Sequence, residues 1–248
     1  MNFEFLSKYY QFFIEGTGVT IAISLCTLVL GFIIGIVVCL GRISKSKIIS
    51  FISGAYIEFL RGTPLLIQIS IIYFGLPGLG FQFPSLGPIS SDYIAAIFAL
   101  SINSSAYIAE ILRSGIQSID KGQMEASRSL GLDYKMSMRY VIVPQALKNV
   151  LPALANEFIV LVKESSIASI IGIRDLMYSA DIVKGNTYLA FEPLIVASLI
   201  YFVLTFSLSK LVGVIETRLE AKNNKSFTLF DSKVNVRNTK EEIVAWLK

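Results

Sequence analysis

The chain has 248 residues, 54% of them hydrophobic, 12% aromatic and only 16% charged, with a net charge of +4 and a mean hydropathy of +0.65. A soluble domain carries about a quarter charged residues, so this balance indicates a membrane protein, and the length suits one compact unit. Histidine is absent, which excludes Ser-His-Asp and Cys-His nucleophiles and histidine metal sites.

In chain order, residues 3–13 (FEFLSKYYQFF) are aromatic with few charges. They read either as an amphipathic segment lying in the membrane interface or as a loose terminus, and residues 1–18 are set apart on that basis. Residues 19–40 hold no charge and meet the roughly 20 apolar residues that a helix needs to cross a bilayer core. They lack the basic flank and short apolar core of a cleavable leader, so they are expected to persist as a span. Cys26 and Cys39 both lie here. On one helix they face roughly opposite ways and cannot bond to each other, so they read as small apolar filler.

Four further spans are expected. Residues 48–75 are interrupted by Glu58, Arg61 and Pro64; residues 89–112 have a polar centre; residues 151–172 carry Asn156, Glu157, Lys163 and Glu164; residues 194–215 are apolar. Lysine and arginine fix the orientation. Segments 41–50, 113–150 and 217–248 together hold sixteen basic residues, against three in 1–18, 75–91 and 173–192. The N-terminus is therefore expected outside and the C-terminus in the cytoplasm, as five spans require. This divides the chain into the interfacial segment, a transmembrane domain over 19–216 and a cytoplasmic tail over 217–248, which ends in the short amphipathic piece EEIVAWLK.

The cytoplasmic loop 113–150 contains KGQMEASRSLGLDYKMSMRYVIVP at 121–144. Asp120 is placed to cap a helix over Gln123 to Leu130, and Gly131 to end it in a left-handed conformation. Met124, Ser127 and Leu130 fall on one side, with Glu125, Arg128 and Ser129 spread over the others. A two-turn helix is unstable alone in water, so it must pack on something, and a cytoplasmic partner is the natural candidate.

Glu125-Ala126-Ser127, three residues, Gly131, nine residues and Val141-Ile142-Val143-Pro144 resembles the EAA signature of ABC importer permeases. Ser127 replaces the second alanine, and Val141 and Val143 replace isoleucine and leucine. EFLRGTPLLIQ (58–68), SAYIAEILRSGIQSIDKGQMEA (105–126) and VPQALKNVLPALANEFIVLVKESSIASIIG (143–172) resemble the subgroup importing polar amino acids, and the likeness covers about residues 15–220. It implies an all-α integral membrane protein with the type I ABC importer transmembrane fold, in the bacterial cytoplasmic membrane. It also implies that 120–131 is a coupling helix docking into a groove of a separate ATPase. Glu125 would meet a basic group there, Ala126 and Ser127 would allow close approach, and Gly131 would make the following turn. Two ATPase subunits, a second permease copy or a homologous permease, and an extracytoplasmic amino-acid-binding protein are the implied partners, with membrane lipid around them and no nucleic acid. The chain has no G-x-x-x-x-G-K-[ST] phosphate cradle. No cofactor is expected on it; ATP and Mg belong to the partner ATPase, and the chain is not itself an enzyme.

Ionisable groups within a membrane cost on the order of 2.5–3.5 kcal/mol each by insertion scales, so they pair or line a wet path. Ser101-Ile102-Asn103-Ser104-Ser105 lies near mid-bilayer at 1.5 Å rise per residue. Asn103 and Ser104 suit either an amino acid's ammonium or carboxylate or contacts between helices. Glu157 and Glu164 share one face of the fourth span, with Asn156 and Lys163 in a parallel stripe. A carboxylate face suits a cationic or zwitterionic substrate. The resemblance implies a Lys-acid pair at Lys163 and Glu164 whatever the substrate, which leaves Glu157 as the leading substrate contact. Glu58 and Arg61 are spaced to pair on one helix beside the kink expected at Pro64; substrate contact is the second reading for both.

The leading function is the permease subunit of an ATP-driven importer of a polar amino acid, glutamine or arginine or a similar one, working by alternating access. The alternative is an ion-coupled secondary amino acid transporter, which would predict internal repeats with paired broken helices; none is visible.

Overall fold

The computed structural model describes residues 3–233. The terminal piece EEIVAWLK lies outside the described residues. Among them the chain is helical apart from loops and a single bridge between Leu86 and Ile89.

Helix α1 runs unbroken through Leu6–Arg42, so the expected interfacial segment and the first span form one helix. At 1.5 Å per residue it is about 55 Å long, well beyond the roughly 30 Å hydrocarbon core. Its two sides differ in kind. Gly16, Thr20, Ser24, Thr27, Gly31, Gly35 and Cys39 are buried, whereas Leu25, Val29, Ile33, Val37 and Leu40 are exposed. Small residues let a neighbouring backbone come close, the usual way helices associate where lipid is as apolar as leucine. The neighbour is α5 (Ser91–Gln117). A Cβ at Gly35 would stand 2.8 Å from Ile108 Cγ2, and one at Gly31 would stand 3.3 Å from the Ser101 carbonyl oxygen.

The second expected span is broken. Helix α2 (Lys47–Gly62) meets a second piece, Leu65–Gly78, at 105°. That piece comprises α3 (Leu65–Ser70), a π-helical turn (Ile71–Gly75) and α4 (Leu76–Gly78). Thr63 is extended, with φ −118° and ψ 147°, as the clash with a following proline ring requires. Pro64 restarts the chain at the head of α3, where its missing N–H costs nothing.

After α5 come α6 (Lys121–Ser129), α7 (Tyr134–Ser137), a π-helical turn (Met138–Ile142) and α8 (Val143–Glu164). A 3-10 segment, Ser165–Ile171, extends α8 and stops at Gly172, where φ is +85°. Helix α9 (Leu176–Thr187) follows, then α10 (Glu192–Lys233). The chain divides into Met1–Ser209, which holds the bundle, and Lys210–Lys248, whose described part is the helical end of α10.

Among the described residues, three helices are long and apolar enough to cross a membrane: Leu6–Arg42, Ser91–Gln117 and Glu192–Val214. The bent pair makes a fourth if counted as one span. Ile23, Ile69, Ala99, Leu100, Ala168 and Ile173 form the central core, where α1, α3, α5 and the 3-10 segment meet. A second cluster joins the start of α1 (Phe5, Phe13) to α9 (Leu176, Ala180, Val183) and Ala197 of α10. The bundle is thus closed at the N-terminal end of α1 and organised around α5 elsewhere.

Candidate functional site

A cavity of about 400 Å³ opens between α2, α5 and α8. Arg61, Tyr107, Glu110, Ser118, Asn149 and Glu157 are among its lining residues. Glu157 is 8% exposed. Its Oε1 accepts a hydrogen bond from Ser104 Oγ at 3.0 Å, which ties α8 to the centre of α5. Burying a carboxyl group with one protein partner leaves acceptor capacity unused, and that capacity lies at the cavity wall. The Arg61 guanidinium stands 5.3 Å from the Tyr107 ring centroid, a cation-π contact. Glu110 and Arg113 form an ion pair on α5, and Arg113 also donates to Gln117 Oε1 at 2.7 Å. One end of the cavity thus presents a guanidinium and carboxylates, and Glu157 supplies the buried acid.

The other end approaches the loop. Asn149 Nδ2 donates to Ser118 Oγ at 2.9 Å, bridging α8 to the residue after α5. Gln145 Nε2 donates to Gln123 Oε1 at 3.3 Å, bridging α8 to α6. Helix α6 is the helix expected between Asp120 and Gly131. Asp120 Oδ1 accepts from the Gly122 N–H at 2.7 Å, and Gly131 has φ +89°. Glu125 and Ala126 are exposed, and Ser127 is buried with Oγ donating to the Met124 carbonyl at 2.9 Å. Leu130 does not share the buried side with Met124 and Ser127, as the helical spacing predicts. It leaves the helical register as the C-cap, with ψ 7°, and stands 85% exposed.

The remaining expected site residues are spread more widely. Asn103 is buried and donates to Gln68 Oε1 at 2.9 Å. Gln68 Nε2 in turn donates to the Leu60 carbonyl at 2.8 Å and to Thr63 Oγ1 at 2.7 Å. These bonds satisfy groups released where α2 breaks, so Asn103 and Gln68 brace the bend. Glu58 is exposed and makes no ion pair with Arg61. The same-helix pair expected from their spacing does not form, because Arg61 is drawn across to Tyr107 on α5. Asn156 and Lys163 are exposed, Glu164 is half-buried, and none of the three lines this cavity.

Several residues here were not singled out from the sequence. Tyr107, Ile111, Ser114 and Ser118 continue from Ser104 at intervals of three or four residues, a helical stripe whose polar members signal the cavity wall. Asp175 is a second omission. It is wholly buried just before α9 and accepts from the Tyr178 N–H at 2.8 Å. The Tyr201 hydroxyl donates to its other oxygen at 3.4 Å, and the Leu176 N–H donates to Thr20 Oγ1 at 3.1 Å. Burial pushes the Asp175 carboxyl up to about 6, against the lowering effect of its hydrogen bonds. An aspartate three residues ahead of an N–H at a helix start is the signal that would have found it.

The chain matches the family described as "Binding-protein-dependent transport system inner membrane component" over residues 28–221. It is 42% identical over 226 residues to the arginine transport system permease protein ArtQ of Bacillus subtilis (strain 168), covering 90% of this chain and 100% of that one. It is 41% identical over 220 residues to the probable glutamine ABC transporter permease protein GlnM of the same organism, covering 89% and 99%. The fold is similar to that in a crystal structure of an amino acid ABC transporter with histidines, at TM-score 0.81 and 48% identity, covering 88% of this chain and 100% of that one. The MetNI methionine ABC transporter shares the fold at TM-score 0.70 and 21% identity, covering 88% and 99%. The chain belongs to the family of binding-protein-dependent transport system inner membrane components, and it is a membrane-embedded protein.

Proposed function

We propose that this chain is the permease subunit of an ATP-driven importer of a polar amino acid. The observation that carries the transport reading is the cavity running from the buried Glu157 to Ser118 and Asn149, beside the first residues of α6. Relatives named for arginine and glutamine, alike over nearly their whole length, support the amino acid class. The buried acid favours a cationic or neutral polar side chain. Glu157 and Ser104 would contact the substrate, with Arg61 opposite. Asn103 would act through the bend it braces, and Glu58, Asn156, Lys163 and Glu164 would flank the path.

The fourth of five spans would be α8 with its 3-10 extension. The N-terminus would lie outside and the C-terminus in the cytoplasm of a bacterial cell, an arrangement supported by the distribution of basic residues. Helix α6 would then face inward as the coupling helix and present Glu125, Ala126 and Leu130 to an ATPase subunit. Two ATPase subunits, a second permease and an extracytoplasmic binding protein would complete the assembly, with ATP and Mg on the ATPases.

Uptake of labelled L-arginine and L-glutamine into vesicles carrying the chain, with and without its ATPase and binding-protein partners, tests this. Uptake that needs ATP and both partners supports the proposal. Gradient-driven uptake by this chain alone would establish an ion-coupled secondary transporter instead.

A further inference from the structure

A second cavity, of about 450 Å³, lies where α1, α5 and α9 converge. Phe12, Glu15, Tyr93, Arg174, Tyr178 and Ile182 are among its lining residues. It sits some 27 residues up α1 from Arg42, about 40 Å along the helix axis, at the end remote from α6. In the proposed orientation this is the outer face.

Its charges are arranged in an unusual way. The backbones of α1 and the α9 entry meet at Gly16, where a Cβ would stand 2.7 Å from the Asp175 carbonyl oxygen. Glu15 and Arg174 immediately precede the two residues in that contact, and both line the same cavity, an acid and a base from two separate elements. They do not neutralise each other: neither forms an ion pair among the described residues. Both open into one cavity walled by Phe12, Tyr93 and Tyr178. Nearby opposite charges free to meet at a surface gain a little by closing on each other. An acid and a base held apart across a shared aromatic-walled space are complementary to a ligand that carries both signs on adjacent atoms.

We infer that Glu15 and Arg174 are the poles of an outer holding site for a zwitterionic α-amino acid, Glu15 receiving the ammonium and Arg174 the carboxylate. Arginine's planar fork suits bidentate carboxylate recognition. The side chain of the ligand lies against the aromatic wall and is read weakly, so the site selects for the amino acid backbone and leaves side-chain selection to the cavity at Glu157. The inference rests on the reading of the chain as an amino acid permease, and it adds a station that the substrate occupies before it reaches the buried acid.

The test uses the full chain assembled with its ATPase partners in vesicles, bearing Ile182→Cys in the cavity wall and probed with a membrane-impermeant maleimide. L-arginine and L-glutamine should each slow labelling by about tenfold at saturation. Decarboxylated arginine and Nα-acetylarginine, which each lack one of the two charges, should not. Glu15→Gln and Arg174→Gln should each abolish the protection while leaving the unprotected labelling rate within twofold, which shows that the cavity still forms. Protection that persists in both variants would overturn the inference. So would protection given only by the binding protein, which would make the cavity its docking surface, and so would no protection at all. If the parent protein meanwhile takes up amino acids with ATP, the outer site alone fails. If it takes up none, the permease reading fails with it.

Discussion

The hydroxyl of Ser104 and the carboxyl of Glu157 meet 3.0 Å apart, across the contact between α5 and α8. This pair places the buried acid of the cavity at a fixed point against the α5 stripe, and it makes the two residues separable by experiment. Glu157→Gln keeps the shape and one acceptor but removes the charge. Its KM for a cationic amino acid is expected to rise about tenfold, equivalent to about 1.4 kcal/mol, with the basal ATPase rate of the assembled complex within twofold. Ser104→Ala leaves the carboxyl in place without its donor and is expected to raise KM about threefold. Equal loss of uptake and ATPase activity in Glu157→Gln would mean that the acid only holds the bundle together.

The brace at the broken span makes a different prediction. Gln68→Leu removes the acceptor of Asn103, leaves the Thr63 hydroxyl without its donor and leaves the Leu60 carbonyl only the 3.5 Å bond from Asn103 Nδ2. Interhelical hydrogen bonds in membranes contribute about 0.6 kcal/mol on average and up to about 1.7. A buried orphan adds about 1–3 kcal/mol. The thermal midpoint of the purified chain should therefore fall by several degrees, and transport should fall through kcat with KM little changed. An unaltered midpoint would show that the bend holds without these bonds.

At α6, Leu130 is the large apolar side chain left in solvent, beside exposed Glu125 and Ala126. Leu130→Asp and Glu125→Lys are each expected to weaken retention of the ATPase partner by about tenfold or more. Insertion of the chain into membranes should remain as in the parent. Co-purification of the ATPase at graded salt separates the two variants, since the ionic contribution of Glu125 is screened and the apolar one is not. Undiminished co-purification in both would count against docking through this helix.

Asp175 gives a pH dependence whose sign is fixed by its environment. Its carboxyl is raised from an ordinary 3.8 to about 6, so the folded chain prefers the protonated form. Stability from this group is fully present below about pH 4, declines as pH rises through 6 and is lost above it. The difference corresponds to about 3 kcal/mol at most. Asp175→Asn preserves an N-cap acceptor and removes the titration. Its thermal midpoint should be flatter than the parent's between pH 4.5 and 8, and higher than the parent's at pH 8. A parent and variant with the same pH profile would refute the assignment.

Features set by neighbours in sequence were legible from the chain alone. Asp120 and Gly131 bound α6 because cap and stop act within one turn, and the steric demand of Pro64 breaks the second span at Thr63. Features set by distant partners were not. Glu58 and Arg61 have the spacing to pair, yet the ring of Tyr107, on another helix, holds the guanidinium. Asn103 has the chemistry of either a substrate contact or a bond between helices, and only the packing of α3 puts Gln68 against its side-chain amide. Leu130 follows the helical pattern in sequence, but the helix ends at Ser129. The cavity wall on α5 left a periodic trace from Tyr107 to Ser118, whereas Asn149 reaches it only through the packing of α8.

The glycines on the inner side of α1 have a kinematic consequence. At Gly35 a single added carbon would collide with Ile108, and at Gly31 the spacing to Ser101 is nearly as tight. Two rods meshed at such short range cannot slide or roll past one another without climbing over side chains, so α1 and α5 must move as a single strut. In the proposed alternating-access cycle, the stroke that opens the cavity first to one side and then to the other would fall to the elements on its far walls, the broken second span and α8. The exposed ridge of valine, leucine and isoleucine on α1 would then keep its place relative to α5 throughout the cycle.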